Sequence, residues 1–217
     1  AGIQADIKTV TALGSYAMTA VTAVTAQNTQ GVKEVTPIPT KNVQKQITMI
    51  LDDIGANAVK IGMLHNASII KCVYRTLRKY KLKNIVLDPV MVAKGGTKLI
   101  KKSSIKYFKK LLLPLCILVT PNIPEAEILT GYSISNKEDM IKAARKILNM
   151  GSKNVLLKGG HLKNKMIFDI LATKKEIKIF KKRKIRTKNT HGTGCTLSSA
   201  LATCLSQKKN IVKSCKI

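Results

Sequence analysis

The amino-acid sequence predicts an α/β fold in three layers, a mostly parallel central sheet flanked by helices. Three observations carry this. Apolar runs of strand length alternate with amphipathic helical patterns along the chain, the order from which parallel βαβ units are built. The strand runs are continuously apolar, as in Ile85-Val86-Leu87, which is the pattern of strands buried on both faces. These runs also end in Gly62-Met63, Asp88, Asn122 with Glu125, and Lys158-Gly159-Gly160. Open α/β sheets bind ligands outside the carboxyl ends of their strands, so these residues are expected to line one rim.

Taken in order, Ile3, Ile7 and Val10 recur at helical spacing and predict a helix ending near Leu13-Gly14. Residues 15–26, rich in Thr and Val, predict a strand. A turn-like stretch, 27–31, leads into a short strand over 32–38, closed by Pro37 and Pro39. Val43, Ile47, Ile50, Leu51 and Ile54 share one helical face, with Thr40 as the expected N-cap. Strands are predicted over 58–63, 84–88 and 116–120, and helices over 67–80 and 103–113. Residues 121–125 open a helix through Leu129. Asn136 caps a helix to Met150, with Glu138 and Asp139 favourable in its first turn. Residues 154–161 run from strand into glycines, and 166–172 with 176–180 predict a hairpin.

The chain has 217 residues, enough for one sizeable core, and a single domain over 1–217 is expected. It is 45% hydrophobic with only 4% aromatic residues and no Trp, so the core is aliphatic. The net charge of +28 suggests an anionic partner. The lysines are scattered, however, and Ile and Asn are also frequent, a bias that genome composition alone can impose. The one dense run, Lys181-Lys182-Arg183-Lys184, has no stacking aromatics beside it, which argues against a nucleic-acid surface. Five cysteines without a C-x-x-C pair, and three histidines without metal spacing, exclude a disulfide framework and a zinc site. This usage fits a reducing cytoplasm. Cys116, inside an apolar run, is expected in the core. That run, 111–119, is too short to span a bilayer and contains Pro114.

The chemistry gathers around Thr190-His191-Gly192-Thr193-Gly194-Cys195. Two glycines free the loop's backbone, and a helix is expected to start at Cys195. A helix's first turn carries unpaired N–H groups and the positive end of its dipole, so an anion is favoured there. Cys195 stands where a thiolate is favoured too. The alternative is a turn that merely starts a helix. Asp88 and Glu125 on one rim suit Mg²⁺ on a nucleotide phosphate. Alone, each has an ordinary explanation, a turn former before Pro89 and an acid in a first helical turn. Lys158 closes an apolar strand, an unusual place for a solvated lysine, and suits a phosphate. No Walker-type loop or dinucleotide glycine motif is present. The parts suit phosphoryl transfer outside the P-loop class.

The chain resembles the hydroxymethylpyrimidine/phosphomethylpyrimidine kinases of thiamine biosynthesis, in the ribokinase-like superfamily. The resemblance rests on ordered motifs: Ala1-Gly2-Ile3-Gln4-Ala5-Asp6, Thr25-Ala26-Gln27-Asn28-Thr29, Lys60-Ile61-Gly62-Met63-Leu64, Val86 to Met91, Thr120-Pro121-Asn122 with Pro124-Glu125, Lys158 to His161, and Lys188 to Thr196. It implies a ribokinase-like fold and Mg-ATP as phosphoryl donor. The acceptor it implies is 4-amino-5-hydroxymethyl-2-methylpyrimidine, then its monophosphate. Gln27 would bond the pyrimidine, with Met63 near the ring. Asn122 and Glu125 match an N-x-x-E element for metal and phosphates, assisted by Asp88. Lys158 and Thr193 match nucleotide-phosphate contacts, and Gly192, Thr193, Gly194 and Cys195 match the anion hole. Cys195 stands where most of the superfamily places an Asp base. A homodimer is also implied. Gln27 has a competing place as a turn residue bonding backbone, and His161 and His191 read as loop or cap residues.

The resemblance further implies a preceding strand with a Gly-rich segment and additional C-terminal helices. From these, truncation at both ends, an uncovered sheet edge and impaired activity are expected. Pyridoxal kinase of the same fold is the alternative within the class. A basic nucleic-acid-binding protein and an inactive scaffold are alternatives from other classes.

Overall fold

The computed structural model describes residues 1–92, 96, 99–162, 166–187 and 189–216. Its centre is a six-stranded sheet in sequential order: β3 (Val59–Ile61), β4 (Ile85–Leu87), β5 (Leu118–Val119), β6 (Asn154–Leu157), β7 (Met166–Thr173) and β8 (Ile177–Arg183). Strands β3 to β6 are parallel, and β7 and β8 complete the sheet as an antiparallel hairpin. A separate antiparallel ribbon, β1 (Ala23–Gln27) and β2 (Val32–Pro37), stands apart from this sheet.

The apolar strand runs are buried on both faces, as their composition requires. Successive residues alternate between two cores. Ile85, Leu87, Val119, Val155, Leu157 and Ile170 point to one, shared with α2 (Thr40–Asp53), α3 (Ala67–Lys79), α5 (Ile123–Thr130) and α6 (Lys137–Asn149). Val86, Leu118, Leu156 and Leu171 point to the other, against Leu201, Ala202 and Leu205 of α7 (Thr193–Ser206). The short helix α8 (Ile211–Ser214) packs beside α7, and so does α1 (Ile3–Ala12). This gives the three expected layers. Cys116 is fully buried, and burial pushes its thiol pKa far up.

Four local expectations are corrected. Residues 15–22 form no strand, because the Gln46 side chain takes the Val21 backbone at both N–H and C=O. Only 23–27 pair with a strand. Thr40 is the first helical residue rather than the cap. Pro39 occupies that position without a side-chain bond. The helix over 103–113 breaks into a 3₁₀ turn (Lys102–Ser104), α4 (Ile105–Tyr107), a π turn (Phe108–Leu112) and a second 3₁₀ turn (Leu113–Leu115). Pro114 cannot donate to a continuing ladder, and buried Phe108, Leu112 and Leu113 hold the distorted turns. Lastly, α7 begins at Thr193, two residues before Cys195, because Gly192 caps it in the left-handed conformation at φ 83°.

Candidate active site

The carboxyl ends of β3 to β6 open into one cavity of about 1350 Å³. Every candidate residue lines it: Gln27, Met63, Asp88, Asn122, Glu125, Lys158 and Gly192 through Cys195. Lys188, quoted with the loop motif, lies outside the described residues. The chain has only 11 acids against 39 Lys and Arg, yet Asp6, Asp88 and Glu125 all face this cavity. Among the described residues only Lys60 and Lys158 join them, so the lining is not basic although the chain is.

Asp88 follows β4 and is 2% exposed. Lys158, just past β6, brings Nζ to 3.1 Å from Asp88 Oδ1. Thr120 Oγ1 donates to the same oxygen at 3.3 Å, and Ser198 Oγ approaches Oδ2 at 3.4 Å. Lys158 reaches this point because its N–H bonds Pro121 O at 2.8 Å, extending the β5–β6 pairing past Leu157. Gly159 follows and admits no side chain, since a Cβ there would collide with the Phe168 carbonyl.

Asn122 and Glu125 open α5 as a capping box. Glu125 N–H donates to Asn122 Oδ1 at 2.9 Å, and Asn122 N–H donates to Glu125 Oε2 at 2.8 Å. Glu125 is 3% exposed. Burial raises its pKa to about 7; Lys158 opposes this and Asp88 reinforces it. His161, at the rim, is held below the usual imidazole range by burial and by the Lys158 and Lys184 charges.

The first turn of α7 faces this cluster. Its N-cap, Gly192, supplies no side-chain bond to these amides, and the Thr193 N–H donates to the Thr190 carbonyl at 3.5 Å. A Cβ at Gly194 would lie 3.4 Å from Lys158 Nζ and 3.7 Å from Asp88 Oδ2. The helix N-terminus, the lysine and the acid therefore converge on one point. Cys195 is the third residue of α7, still in its first turn, and is half-buried. Thr193 Oγ1 is turned to the Thr190 carbonyl at 3.0 Å.

The β1–β2 ribbon also lines the cavity. Gln27 ends β1 at a bulge and is exposed, with Nε2 donating to Thr25 Oγ1 at 2.7 Å. It is a strand residue rather than a turn residue, and its amide bonds a side chain rather than backbone. Met63 follows β3, and its carbonyl accepts from Thr22 Oγ1 at 2.9 Å. Sequence reasoning missed Ser198 and Thr120 beside Asp88. It also missed the Asp6–Lys60–Ser199 contacts lining the cavity. Hydroxyls in mid-helix, unfavourable by propensity, were the available signal for Ser198 and Ser199.

Two carboxylates, Asp88 and Glu125, near the N-terminus of α7 fit Mg²⁺, which is usually held by one or two acids together with substrate phosphates and water. Among the described residues no group of three or more His, Cys, Asp or Glu would cage a metal alone. No described helix is long and apolar enough to cross a membrane.

Residues 1–217 match the phosphomethylpyrimidine kinase family. The chain is 50% identical over 207 residues to the thiamine biosynthesis bifunctional protein ThiED of Geobacter sulfurreducens, covering 95% of this chain and 42% of that protein. It is 42% identical to the hydroxymethylpyrimidine/phosphomethylpyrimidine kinase of Bacillus subtilis, over 93% of this chain and 74% of the relative. Among solved structures, a phosphomethylpyrimidine kinase from Clostridium difficile matches with TM-score 0.88 at 43% identity, covering 100% of this chain and 89% of that one. An ADP complex of Bacillus subtilis pyridoxal kinase matches with TM-score 0.91 at 36% identity, covering 99% and 82%. The fold shared with these proteins is the ribokinase-like α/β fold.

Proposed function

The chain belongs to the phosphomethylpyrimidine kinase family, and from that premise we propose how its residues phosphorylate hydroxymethylpyrimidine and its monophosphate in thiamine biosynthesis. The observation that carries the assignment is the convergence of Gly194, Lys158 and Asp88 at one point of the cavity. It supplies what phosphoryl transfer needs, positioning and charge stabilisation, with little covalent work.

ATP is the phosphoryl donor, and the N-terminus of α7 would hold its phosphates. The amides of Gly192 to Cys195 and the Lys158 ammonium face the charge that develops on the transferred group. Thr193 adds a hydroxyl to the nucleotide phosphates. Asp88 and Glu125, with Asn122, would hold Mg²⁺, which neutralises phosphate charge when bound. Gln27 on the ribbon bonds the pyrimidine, and Met63 packs on its ring. The Cys195 thiolate accepts the proton of the hydroxymethyl group as its oxygen bonds to the γ-phosphorus. The bond from that phosphorus to the bridging oxygen breaks, and ADP leaves. The same base position serves the monophosphate.

Residues 1–217 act in this reading as one kinase domain, in the cytoplasm and as a homodimer. The basic run Lys181-Lys182-Arg183 lies in β8, the outer strand of the sheet. Lysines there suit protection of a sheet edge against pairing, which supports leaving nucleic acid out of the function. The second reading, pyridoxal phosphorylation, is favoured by the pyridoxal kinase likeness at 36% identity. Steady-state turnover with the pyrimidine alcohol, its monophosphate and pyridoxal separates the two. A kcat/KM about tenfold or more higher for the pyrimidines is expected. A preference for pyridoxal would reverse the assignment.

A further inference from the structure

A second ion pair, separate from Lys158–Asp88, lines the same cavity. Asp6 is in α1, Lys60 is the middle residue of β3, and Ser199 is in α7. Lys60 Nζ lies 2.9 and 3.0 Å from the two Asp6 oxygens, and Ser199 Oγ donates to Asp6 Oδ1 at 2.7 Å. The side chains of Lys60 and Asp6 are 10% and 20% exposed. Three segments remote in sequence thus meet at one carboxylate.

The cluster touches both halves of the site. Ser199 stands one turn beyond Cys195, on the same face of α7. The start of α1 abuts the anion-hole loop, since a Cβ on Gly192 would lie 3.4 Å from Ala1 Cα. The Lys60 ammonium sits under the strand end, 3.1 Å from where a Cβ on Gly62 would stand, next to Met63. Stability alone does not account for such a cluster. Desolvation offsets much of a buried pair's Coulomb gain, and apolar residues of similar volume often hold a fold as well. Charge-assisted hydrogen bonds add direction, which apolar contacts lack.

We propose that Asp6 and Lys60 are positioning residues that set the first turn of α7 relative to the strand end at Gly62-Met63. They act through Ser199 and the start of α1, without touching the reacting atoms. The inference rests on the kinase reading above. A shift of about 1 Å in such a group costs on the order of 10²-fold in rate.

The test compares the wild-type chain with Asp6→Asn, Lys60→Met, the double variant Asp6→Leu/Lys60→Met, and Ser199→Ala. It measures kcat, KM for ATP and for the pyrimidine alcohol, and the thermal midpoint. The single charge variants lose both rate and stability. The double variant, with no unpaired charge left, recovers most of the midpoint, while its kcat stays about tenfold or more below wild type at a KM for ATP within about threefold. Full turnover in the double variant would overturn the proposal, as would rate losses that simply track the midpoint across the series. If the double variant does not fold, Ser199→Ala decides. A loss of about threefold in kcat at an unchanged midpoint supports positioning, and an unchanged kcat overturns it. A wild-type chain with no pyrimidine turnover would instead overturn the kinase reading.

Discussion

Gly194→Ala separates the architecture of the site from its chemistry. Gly194 is the second residue of α7, in the first helical turn and outside the positive-φ glycines. Alanine is preferred to glycine in a helix by nearly 1 kcal/mol in the interior, and by about 0.5 kcal/mol in a first turn. The added Cβ meets Lys158 Nζ at 3.4 Å and Asp88 Oδ2 at 3.7 Å, contacts that require no displacement of the fold. For a chain of this length, that gain corresponds to a rise of about 1–2 °C in thermal midpoint. The same methyl group occupies the gap between the helix amides and the Lys158–Asp88 pair, where the proposed reaction brings the phosphate oxygens. Loss of one preorganised anion-hole donor costs roughly 10²–10³ in kcat. A blocked approach is expected to cost about 10² in kcat/KM for ATP. The variant should therefore be as stable as wild type or slightly more so, and nearly inactive. Coupled ADP release and a thermal melt suffice to test it. Activity within about threefold of wild type would show that phosphate does not bind at this point. A midpoint lowered by several degrees would show that the gap is structural packing.

Cys195→Ala is expected to lower kcat by about 10²–10⁴ with the midpoint unchanged, and Cys195→Asp to restore part of it, read in the same ADP assay. Glu125→Gln tests the buried acid. Its folded pKa of about 7 lies above the unfolded 4.5, so the carboxyl's contribution to stability is full below about pH 4.5 and is lost as pH rises towards 7. Glutamine stays neutral and keeps an acceptor for the Asn122 N–H. Urea unfolding should place the variant near wild type at about pH 4.5 and about 3 kcal/mol more stable at pH 8, while MgATP-dependent turnover falls. An equal difference at both pH values would show that Glu125 is not held neutral by burial. Gly159→Ala should be strongly destabilised, by about 3 kcal/mol, because its Cβ meets the Phe168 carbonyl in the neighbouring strand. A wild-type urea midpoint for that variant would contradict the close β6–β7 approach.

The elements that sequence patterning placed well are those whose partners lie nearby in the chain. Asn66 and Asn136 both accept from amides three residues on, and their helices run as local spacing predicts. The β7–β8 hairpin likewise closes over a short turn. Patterning failed where a remote group captured the backbone. Val21 and Gln46 are 25 residues apart, so nothing within residues 15–26 shows that the Val21 amide and carbonyl are taken by a side chain rather than a strand. The helix over 103–113 has suitable composition, but burial of Phe108 and Leu112 decides its turns.

Within the site, residue types at strand ends and the glycine loop were legible because each chemical role needs a particular side chain. Asp88, Glu125, Lys158 and Cys195 are named by that logic before any distance is known. Residue patterning was enough to predict the three layers, the strand ends that share one rim, and a glycine loop opening a helix. Periodicity and the chemistry of single residues are local properties, so they survive without coordinates. It takes the folded chain to pair Lys158 with Asp88 at 3.1 Å, to set Gly194 facing that pair, and to bring Lys60 and Ser199 to the Asp6 carboxylate. Those contacts join residues 70, 106 and 193 positions apart (88 to 158, 88 to 194, 6 to 199). Chain spacing says nothing about distance once the sheet has brought its strand ends side by side.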